Sequence, residues 1–425
     1  MIFSPAMKNV MKSALFPIKA FRMWGARGVV DYILRQGRMR RERSFFLDNA
    51  RSKPHARPER GITIAGNLSA TGSLSKVLRD FALCLKDAGI PFQTFDMGPG
   101  AIPDSDLKPV LTPPERFEVC RFSHSVEMIS AKIPRQVVSR RARIVFWEYN
   151  EGVGDGYPCL WKKDAAIIAM SDFNYSYFRR EFGATHPVFK LPYPLRVDVS
   201  GIPDAQACRA KFGIPQDAFV VFFNFSFGSG WYRKNPAGAV RAFARAFRHD
   251  ESARLVFKTT DRKTHMDLEE RLLGVAAEEG VRDRIVLFGE WMTERDVLEL
   301  TNCCDVYLSL HRAEGFGLGC AEAMCLGKAV VATDYSATTE FCKPEHSMPI
   351  PFKLAEVDDE EKAAQPAIRF VRWWAEPDID AAAEALGKLR DDRQFRMRLG
   401  ADARAFIQKT YSTENFKRAV QEFLG

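Results

Sequence analysis

The sequence lacks several features that would identify common classes of protein. Its 425 residues contain no run of 18 apolar residues, so a transmembrane helix is not expected. The nine cysteines show neither a C-x-x-C motif nor a Cys/His metal spacing, which predicts buried, reduced thiols and no metal site. The dinucleotide-binding motif G-x-G-x-x-G is also absent, which argues against a dehydrogenase.

The positive charge of the chain is concentrated at its N-terminus. Residues 1–60 contain 14 Lys and Arg against 4 Asp and Glu, whereas residues 61–425 contain 48 against 50. Bases are interleaved with apolar residues over Ala6–Trp24, and a second basic cluster lies at Gly37–Arg43. This extension is therefore predicted either to lie on an anionic membrane surface or to be solvated. No RNA- or DNA-binding motif accompanies the bases, so nucleic-acid binding is not expected.

The most informative stretch of the sequence is Asp305–Thr333. Two short β-forming runs, Asp305–Leu310 and Ala329–Thr333, flank the apolar segment Leu318–Leu326, which is predicted to be a buried helix ending at Gly327. This order predicts a strand–loop–helix–strand unit with parallel strands. The loop before the helix carries two glycines, which allow a ligand to approach the backbone closely, and amides at a helix N-terminus attract anions.

Two glutamates occupy the loop and the helix of this unit. Glu314 lies in the loop, and Glu322 follows eight residues later in the otherwise apolar helix. A carboxylate among apolar residues needs a partner, which the hydroxyl groups of a bound ligand would supply. Backbone amides for a phosphate and carboxylates for hydroxyl groups describe a nucleotide-sugar site. The alternative is an ordinary buried βαβ unit with a capping glutamate.

The two glutamates resemble the Glu-x7-Glu signature of the family 4 retaining glycosyltransferases of GT-B fold. The surrounding sequence, EGFGLGCAEAM, is similar to that of the family. The resemblance implies that Glu322 binds the ribose of a nucleotide sugar. It also implies that the transferred sugar and the phosphate are held by Glu314 and by the four residues after it, namely Gly315, Phe316, Gly317 and Leu318.

A second motif lies upstream, at Arg233–Pro236. These residues, RKNP, precede an amphipathic helix and are typical of one branch of the same family. Because cations at a helix start suit a departing diphosphate, Lys234 and Arg233 are predicted to neutralise the leaving group. Many family members carry a further arginine where this chain has Gly228. Arg233 is expected to replace it, or else Lys258 at the end of the next predicted strand.

The remaining candidate residues are expected at the ends of other strands. Gly72 and Ser73 follow the first predicted strand and, by resemblance, lie across the cleft from the donor phosphates; an ordinary βα turn has the same sequence. His124 follows the predicted strand Phe117–Phe122, at the sheet edge where open α/β proteins bind ligands, and is either a donor contact or structural. In the family, the turn at Gly289 lies against the nucleotide base.

A carboxylate between two aromatic residues follows another predicted strand, Arg143–Trp147. Glu148 comes directly after Trp147 and before Tyr149. An aromatic face beside a carboxylate suits a sugar or an apolar acceptor. Trp147 could equally belong to the core.

These features predict an α/β chain with the GT-B fold, in which two Rossmann-like domains face a central cleft. Residues 1–60 form the basic extension, 61–195 the acceptor-side domain, and 204–400 the domain that binds the nucleotide sugar. The helices of residues 401–425 are expected to return toward the first domain. The proline-rich stretch Pro192–Pro203 is the expected hinge.

The resemblance implies a glycosyltransferase of the hexosyltransferase class. It would move a sugar from a nucleotide-sugar donor to a glycan or lipid-linked acceptor with retention of configuration. The nucleotide sugar is a substrate, so no cofactor is expected, and the implied chemistry needs no metal ion. The enzyme is expected in the cytoplasm, either free or at the inner face of the membrane.

Two alternatives to this function remain open. The first is a catalytically silent GT-B subunit that acts as a scaffold or a sugar-binding partner. Intact Glu314, Glu322 and Lys234 argue against it, whereas the missing arginine at Gly228 argues for it. The second is another GT-B reaction, such as epimerisation of a sugar nucleotide.

Overall fold

The computed structural model describes most of the chain after the basic extension. The described residues are 58–70, 72–97, 110–112, 116–118, 121–128, 140–152, 165–260, 265–364, 368 and 370–425. The membrane-surface prediction concerns residues 1–60, of which 1–57 lie outside the described residues. The chain divides into two compact units, residues 1–86 with 90–141 and residues 87–89 with 142–425. The domain boundaries predicted from the sequence stay predictions.

The first unit contains three neighbouring parallel strands. β1 (Glu59–Gly66) lies between β2 (Phe92–Asp96) and β3 (Phe122–Met128). Helix α1 (Ser73–Asp87) connects β1 to β2. The apolar residues of α1 recur at the spacing of one helical face, which is why this face is buried: Val77, Leu78, Phe81 and Leu85.

The position of β3 corrects one prediction. The sequence predicts a strand over Phe117–Phe122 with His124 after its end, but the strand begins at Phe122 and contains His124. Polar residues dominate this strand, so it does not have the apolar pattern of a buried strand. It is nevertheless buried, because the carboxylate of Glu127 accepts hydrogen bonds from Arg141 Nε at 3.0 Å and Nη2 at 3.1 Å. A long-range partner therefore compensates for a carboxylate that the local sequence leaves unexplained.

Strands β4 (Arg140–Ile144), β5 (Ala165–Ala169) and β6 (Val188–Lys190) follow β3 in the chain. The sequence predicts a strand at Ala165–Ala169, and β5 has these bounds. β4 ends three residues before the end of the predicted strand Arg143–Trp147. β5 pairs with β6 in parallel, and α2 (Asp172–Phe182) connects them. The sequence predicts Ser171 as the cap of this helix, and its side chain accepts a hydrogen bond from the backbone amide of Asn174, which confirms the prediction.

The second unit contains a six-stranded parallel sheet. Its strand order is β12-β11-β10-β7-β8-β9. The inner strands are almost continuously buried, as expected for a parallel sheet covered on both faces. The strands are β7 (Phe219–Ser226), β8 (Ala253–Thr260), β9 (Ile285–Phe288), β10 (Val306–Ser309), β11 (Ala329–Thr333) and β12 (Met348–Ile350).

Ten further helices among the described residues follow α2. They are α3 (Ala205–Phe212), α4 (Trp231–Lys234), α5 (Pro236–Phe247), α6 (Met266–Glu278), α7 (Glu294–Asn302), α8 (Leu318–Cys325), α9 (Asp359–Ala364), α10 (Ile379–Asp391), α11 (Arg393–Thr410) and α12 (Thr413–Leu424). An antiparallel ribbon of β13 (Phe352–Glu356) and β14 (Trp373–Pro377) precedes α10. The sequence predicts that residues 380–425 are helical, and the last three helices confirm this.

The strand–loop–helix–strand unit predicted at Asp305–Thr333 is confirmed. β10 and β11 are parallel neighbours, and α8 lies between them in the chain. Gly327 follows the end of α8 with φ of 72°, a left-handed conformation that glycine adopts without steric cost.

Two further properties concern the helices and the cysteines. In the part of the chain that the structure describes, no helix is both long enough and apolar enough to cross a membrane. The seven cysteines among the described residues are all buried and unbridged.

Candidate active site

The candidate site lies where the strand order of the second sheet reverses. β7 pairs with both β8 and β10, so the chain leaves β7 in one direction and returns beside it at β10. Open α/β sheets bind ligands at the carboxyl ends of the strands at such a reversal. The RKNP motif follows β7, and the loop with Glu314 follows β10. The topology thus brings together two motifs that are far apart in the sequence.

The carboxylate of Glu314 contacts both cations of the RKNP motif. Lys234 Nζ donates to Glu314 Oε1, and Arg233 Nη1 lies 3.3 Å from Oε2. Arg233 Nη1 also donates to the carbonyl of Ala313 at 2.9 Å, and its Nη2 lies 3.6 Å from Glu148 Oε1. Arg233 and Glu314 are 6% and 7% exposed. The three residues predicted to be catalytic therefore form one cluster with Glu148, in which Arg233 and Glu314 are buried and Lys234 and Glu148 are partly exposed.

The charges of this cluster stabilise one another. Burial alone would raise the pKa of Glu314, but Lys234 and Arg233 lower it to about 2. Burial lowers the pKa of Arg233, whereas Glu148 and Glu314 raise it, and the result lies above the ordinary arginine value. Glu314 is therefore ionised at neutral pH and has no proton to donate as a general acid.

Asn235 positions the two cations, a role that the sequence analysis did not assign. It adopts a left-handed conformation with φ of 53°, which asparagine tolerates better than most residues. Its side chain accepts the amide of Gly238 at 3.0 Å and donates to the carbonyl of Leu310 at 3.0 Å. Asn235 thus caps α5 and attaches the start of that helix to the end of β10. The sequence signal was its position before Pro236 at a helix start.

His311, the first residue of the loop that contains Glu314, contacts the segment after β11. The imidazole is fully buried, and its Nε2 lies 3.2 Å from the carbonyl oxygen of Tyr335 and 3.1 Å from Thr338 Oγ1. Burial lowers the pKa of His311 to about 4 although the nearby Glu314 raises it, so the ring is neutral at neutral pH. The amide of Glu314 donates to Ser336 Oγ at 2.8 Å. The loop after β10 is therefore held by contacts at His311 and at Glu314.

The two glycines of the loop are closely packed, and at Gly317 the packing excludes a side chain. A Cβ atom at Gly315 would lie 3.3 Å from Phe146 Cβ. Gly317 has φ of 92°, and a Cβ atom there would lie 2.4 Å from Thr338 Cγ2. Any larger residue at Gly317 would strain the backbone and also clash with its neighbour. These glycines keep the backbone of the loop close to its surroundings, as the sequence predicts.

The side chain of Phe316 belongs to an aromatic cluster. Its ring stacks on that of Tyr193 with the two ring centroids 3.9 Å apart. The ring centroids of Phe341 and Tyr411 lie 5.4 Å and 5.6 Å from that of Phe316. Phe316 is 5% exposed. Any contact between Phe316 and a donor would therefore use its backbone rather than its ring. Leu318, which follows Gly317, begins α8.

The other predicted donor residues of the second unit are more widely spaced. Glu322 is half-buried in the second turn of α8. Lys258 lies inside β8, opposite Asn224 of β7, and not at the end of the strand as predicted. It is buried and donates to the carbonyl of Thr259 at 2.6 Å. Gly289 directly follows β9 at the edge of the sheet. Their roles in binding stay predictions.

Three predicted residues lie in the first unit. Gly72 has φ of 109° with open space where a Cβ atom would be, and Ser73 begins α1. His124 lies inside β3, and its Nδ1 is 2.9 Å from Ser123 Oγ. Burial lowers the pKa of His124, and the positive charge of Arg140 lowers it further. The donor contacts predicted for these three residues stay predictions.

Among the residues that follow β4, Trp147 and Tyr149 are buried in the core, whereas Glu148 belongs to the candidate site. Trp147 is 1% exposed, and its Nε1 donates to the carbonyl of Glu151 at 2.7 Å, so it belongs to the core. Tyr149 is also buried, and its ring lies 5.5 Å from that of Trp147. Glu148 is the member of this segment that reaches Arg233. Sequence reasoning had noticed Glu148 only as a neighbour of aromatic residues.

A metal site is a separate question from this cluster of charges. Across the described residues, no group of three or more His, Cys, Asp or Glu side chains could hold a metal ion. The metal-free reaction stays a prediction.

The chain resembles a known family in its second half. Residues 205–356 match the model of the family Glycosyl transferases group 1. The lipopolysaccharide core biosynthesis mannosyltransferase LpsB of Rhizobium meliloti (strain 1021) is 26% identical over 313 residues, which are 71% of this chain and 78% of LpsB. The matched segment contains the RKNP motif and both glutamates. These matches confirm the prediction of a glycosyltransferase.

Solved structures show the same fold. Sucrose-phosphate synthase from Thermosynechococcus elongatus is 16% identical, with a TM-score of 0.62 over 86% of this chain and 98% of that protein. Anabaena HepE in complex with UDP and glucose is 14% identical, with a TM-score of 0.57 over 86% of this chain and 99% of HepE. The predicted α/β GT-B fold is confirmed.

Proposed function

We propose that this glycosyltransferase of group 1 type is a family 4 enzyme that transfers a hexose from a nucleotide sugar with retention of configuration. The observation that carries the proposal is the convergence of Arg233, Lys234 and Glu314 at the reversal of strand order. The similarity to LpsB, a mannosyltransferase of lipopolysaccharide core biosynthesis, supports a hexose and a glycan or lipid-linked acceptor. The UDP bound to HepE supports a nucleotide-sugar donor.

The proposed role of the two cations concerns the leaving group. A nucleoside diphosphate gains negative charge as its bond to the sugar breaks, and Lys234 and Arg233 would neutralise this charge. Glu314 contacts both cations, so a donor that reaches them would have its sugar close to the carboxylate. The amides at the start of α8 would add further positive potential. No metal ion is needed in this arrangement, and no cofactor takes part.

Glu314 is proposed to position the sugar rather than to attack it. Its pKa of about 2 makes it a weak base, and both of its oxygens already contact cations. The acceptor hydroxyl oxygen would therefore form the new bond to the anomeric carbon on the face that the diphosphate leaves. The bond from that carbon to the phosphate oxygen breaks with its electron pair, and the phosphate takes the acceptor proton. The products are the glycoside and the nucleoside diphosphate.

The stereochemistry of transfer tests the proposal directly. The full-length enzyme is incubated with UDP-, GDP- and ADP-hexoses and a lipid-linked glycan acceptor, in EDTA, and the product is analysed by NMR. The expected product keeps the anomeric configuration of the donor, and EDTA leaves the rate unchanged. An inverted product would contradict retention, and activity that EDTA abolishes and Mn²⁺ restores would contradict the metal-free reaction. An epimerised sugar nucleotide without transfer would favour the epimerase, and an inert chain would favour the silent subunit.

The role of Glu322 predicts a change in donor affinity. Glu322→Gln should raise the KM for the nucleotide sugar by about tenfold to hundredfold, because losing one charged hydrogen bond costs about 1.5–3 kcal/mol. The kcat at saturating donor should change little, because the ribose is remote from the bond that breaks. Glu384→Gln, on the exposed face of α10, is the matched control. Unchanged donor affinity in Glu322→Gln would refute the ribose contact.

The basic extension supports a proposed place of action. We expect the enzyme in the cytoplasm, held at the inner face of the membrane by residues 1–60, where each base contributes about 1 kcal/mol of attraction to anionic lipid. Full-length protein should sediment with anionic vesicles, and less so in high salt because counterions screen the attraction. Replacing the four arginines of Gly37–Arg43 with glutamine should reduce sedimentation, and starting the chain at Gly61 should abolish it. Equal sedimentation of all three proteins would exclude this role.

A further inference from the structure

A cavity of about 140 Å³ lies beside the turn that carries the two proposed catalytic cations. Its walls include residues of α5, α6, α9 and the loop after β10. Tyr232 and Asn235, which flank Arg233 and Lys234, line it, but neither cation does. The cavity is therefore adjacent to the candidate active site and separate from it.

Three arginines line this cavity. Arg241 comes from α5, Arg271 from α6 and Arg312 from the loop after β10. The first residues of α5 also line it, so the positive end of a helix of 12 residues faces the same space. Guanidinium groups bind phosphate and carboxylate groups through paired hydrogen bonds. Two acidic residues, Asp358 and Glu361, line the cavity as well, so three bases against two acids leave its walls with an excess of positive charge that suits an oxyanion.

Arg312 is held in place by hydrogen bonds to Glu376 and Tyr232. Its Nε and Nη2 donate to the carboxylate of Glu376 at 2.6 Å and 3.1 Å, and its Nη1 donates to the carbonyl of Tyr232 at 2.9 Å. The backbone amide of Arg312 donates to the carbonyl of Arg233 at 2.8 Å. The guanidinium of Arg312 is thus preorganised, and the backbone of Arg312 is hydrogen-bonded to the turn that carries Arg233 and Lys234.

A buried carboxyl group in the same walls has one oxygen without a hydrogen-bond partner among the described residues. Glu361 is 7% exposed, and its Oε2 accepts no hydrogen bond from the described residues. Its Oε1 lies 3.7 Å from Arg312 Nη1. The pKa of Glu361 is raised to about 7, mainly because the group is buried. Arg312 lowers this pKa, whereas the carboxylates of Asp358 and Glu376 raise it. Below this pH the carboxyl group is neutral and can donate a hydrogen bond. A buried polar atom without a partner calls for one, and an oxyanion would accept this proton.

We infer that this cavity is a second ligand site, which binds the phosphate, sulfate or carboxylate group of a small molecule or a glycan. Arg271, Arg241 and Arg312 supply the positive charge, and Glu361 supplies a hydrogen-bond donor. The site is independent of the donor site because Lys234 and Glu314 do not line it. This inference does not depend on the proposed function.

Calorimetric titration of the full-length protein with potassium sulfate tests the inference, with potassium chloride at equal ionic strength as the blank. A sulfate ion could also bind at the donor site, so the same titration is made with Lys234→Ala. The parent and Lys234→Ala should bind with similar affinity, whereas Arg271→Gln and Arg241→Gln should each weaken binding by about tenfold or more. Equal affinity in the parent and both arginine variants, with unchanged unfolding temperatures, would overturn the inference. Heats of sulfate no larger than those of chloride would do the same.

The pH dependence of sulfate binding tests the role of Glu361. The ionisable groups that face it are Arg312, Asp358, Glu376 and Tyr149. Sulfate should bind less tightly as the pH rises through about 7, because Glu361 loses its proton and then repels the anion. Glu361→Gln keeps a donor without a titrating charge, so its affinity should be high and independent of pH over this range. A parent that shows no pH dependence, or a variant that shows the same one, would remove Glu361 from the site.

The source of the anionic group is resolved by comparing probes. Sulfate and acetate represent free anions, and mannose 6-phosphate represents a phosphate carried on a sugar. Tighter binding of the sugar phosphate, lost in Arg271→Gln, would identify the ligand as a phosphorylated glycan or metabolite. Equal binding of all three would identify a site for free anions. Both results support the inferred site, and binding of none of the three contradicts it.

Discussion

Replacing Lys234 with alanine is expected to lower the kcat of sugar transfer by about 100-fold or more. Removing one preorganised group that stabilises developing charge commonly has an effect of this size. Lys234 contacts Glu314 and lies beside Arg233, so it is part of the proposed clamp on the leaving diphosphate. The KM for the donor should change less than kcat, because the charge on the diphosphate grows during the reaction. Steady-state kinetics with a saturating acceptor measure both constants.

The matched control for this variant is Lys409→Ala. Lys409 is exposed in α11, so its loss should leave kcat unchanged. A double-mutant cycle with Glu314→Ala separates the two roles, because residues in contact are expected to be non-additive. If Lys234→Ala keeps the parental kcat with an intact fold, the clamp is excluded. Simple additivity of the two substitutions would contradict their direct coupling.

Much of the second sheet could be predicted because its signals are local. β11 has the predicted bounds, since a short apolar run between turn residues identifies a buried strand. The loop glycines and the helix after them also identified the position of Glu314. Each of these features depends on residues that are close in the sequence.

The features that could not be predicted depend on distant contacts. β3 was misplaced because Glu127, a poor residue for a buried strand, is compensated by Arg141. The contact of Arg233 with Glu148 joins segments 85 positions apart, as their residue numbers show. The sequence assigns the cations to the leaving diphosphate and Glu314 to the sugar and the phosphate, and it does not predict the ion pairs between them. Such pairs follow from the strand order, which no local pattern specifies.

A second large effect is expected in Arg233→Ala, and it concerns stability as well as activity. Arg233 is nearly buried between Glu148 and Glu314 and also donates to the carbonyl of Ala313. Removing one partner of a buried ion pair leaves charge uncompensated, which typically costs about 3–5 kcal/mol of unfolding free energy. Sugar transfer should also fall sharply, because Lys234 alone then faces both carboxylates and the diphosphate. Urea unfolding and steady-state kinetics measure the two effects.

The pH dependence of this loss has a definite sign. The pKa of Glu314 is depressed to about 2, below its ordinary value of 4.5, so its ionised form stabilises the folded chain above the ordinary value. This contribution is lost as the pH falls through the folded pKa. Without Arg233 the pKa of Glu314 in the folded chain rises. The difference in unfolding free energy between the parent and Arg233→Ala should therefore be largest at neutral pH and become smaller below about pH 4.5. Arg372→Ala, which breaks an exposed pair with Glu356, should cost no more than about 1 kcal/mol. Arg233→Ala could prove no more destabilising than this control, or its loss of unfolding free energy could grow as the pH falls. Either result would show that the two cations do not hold Glu314 ionised.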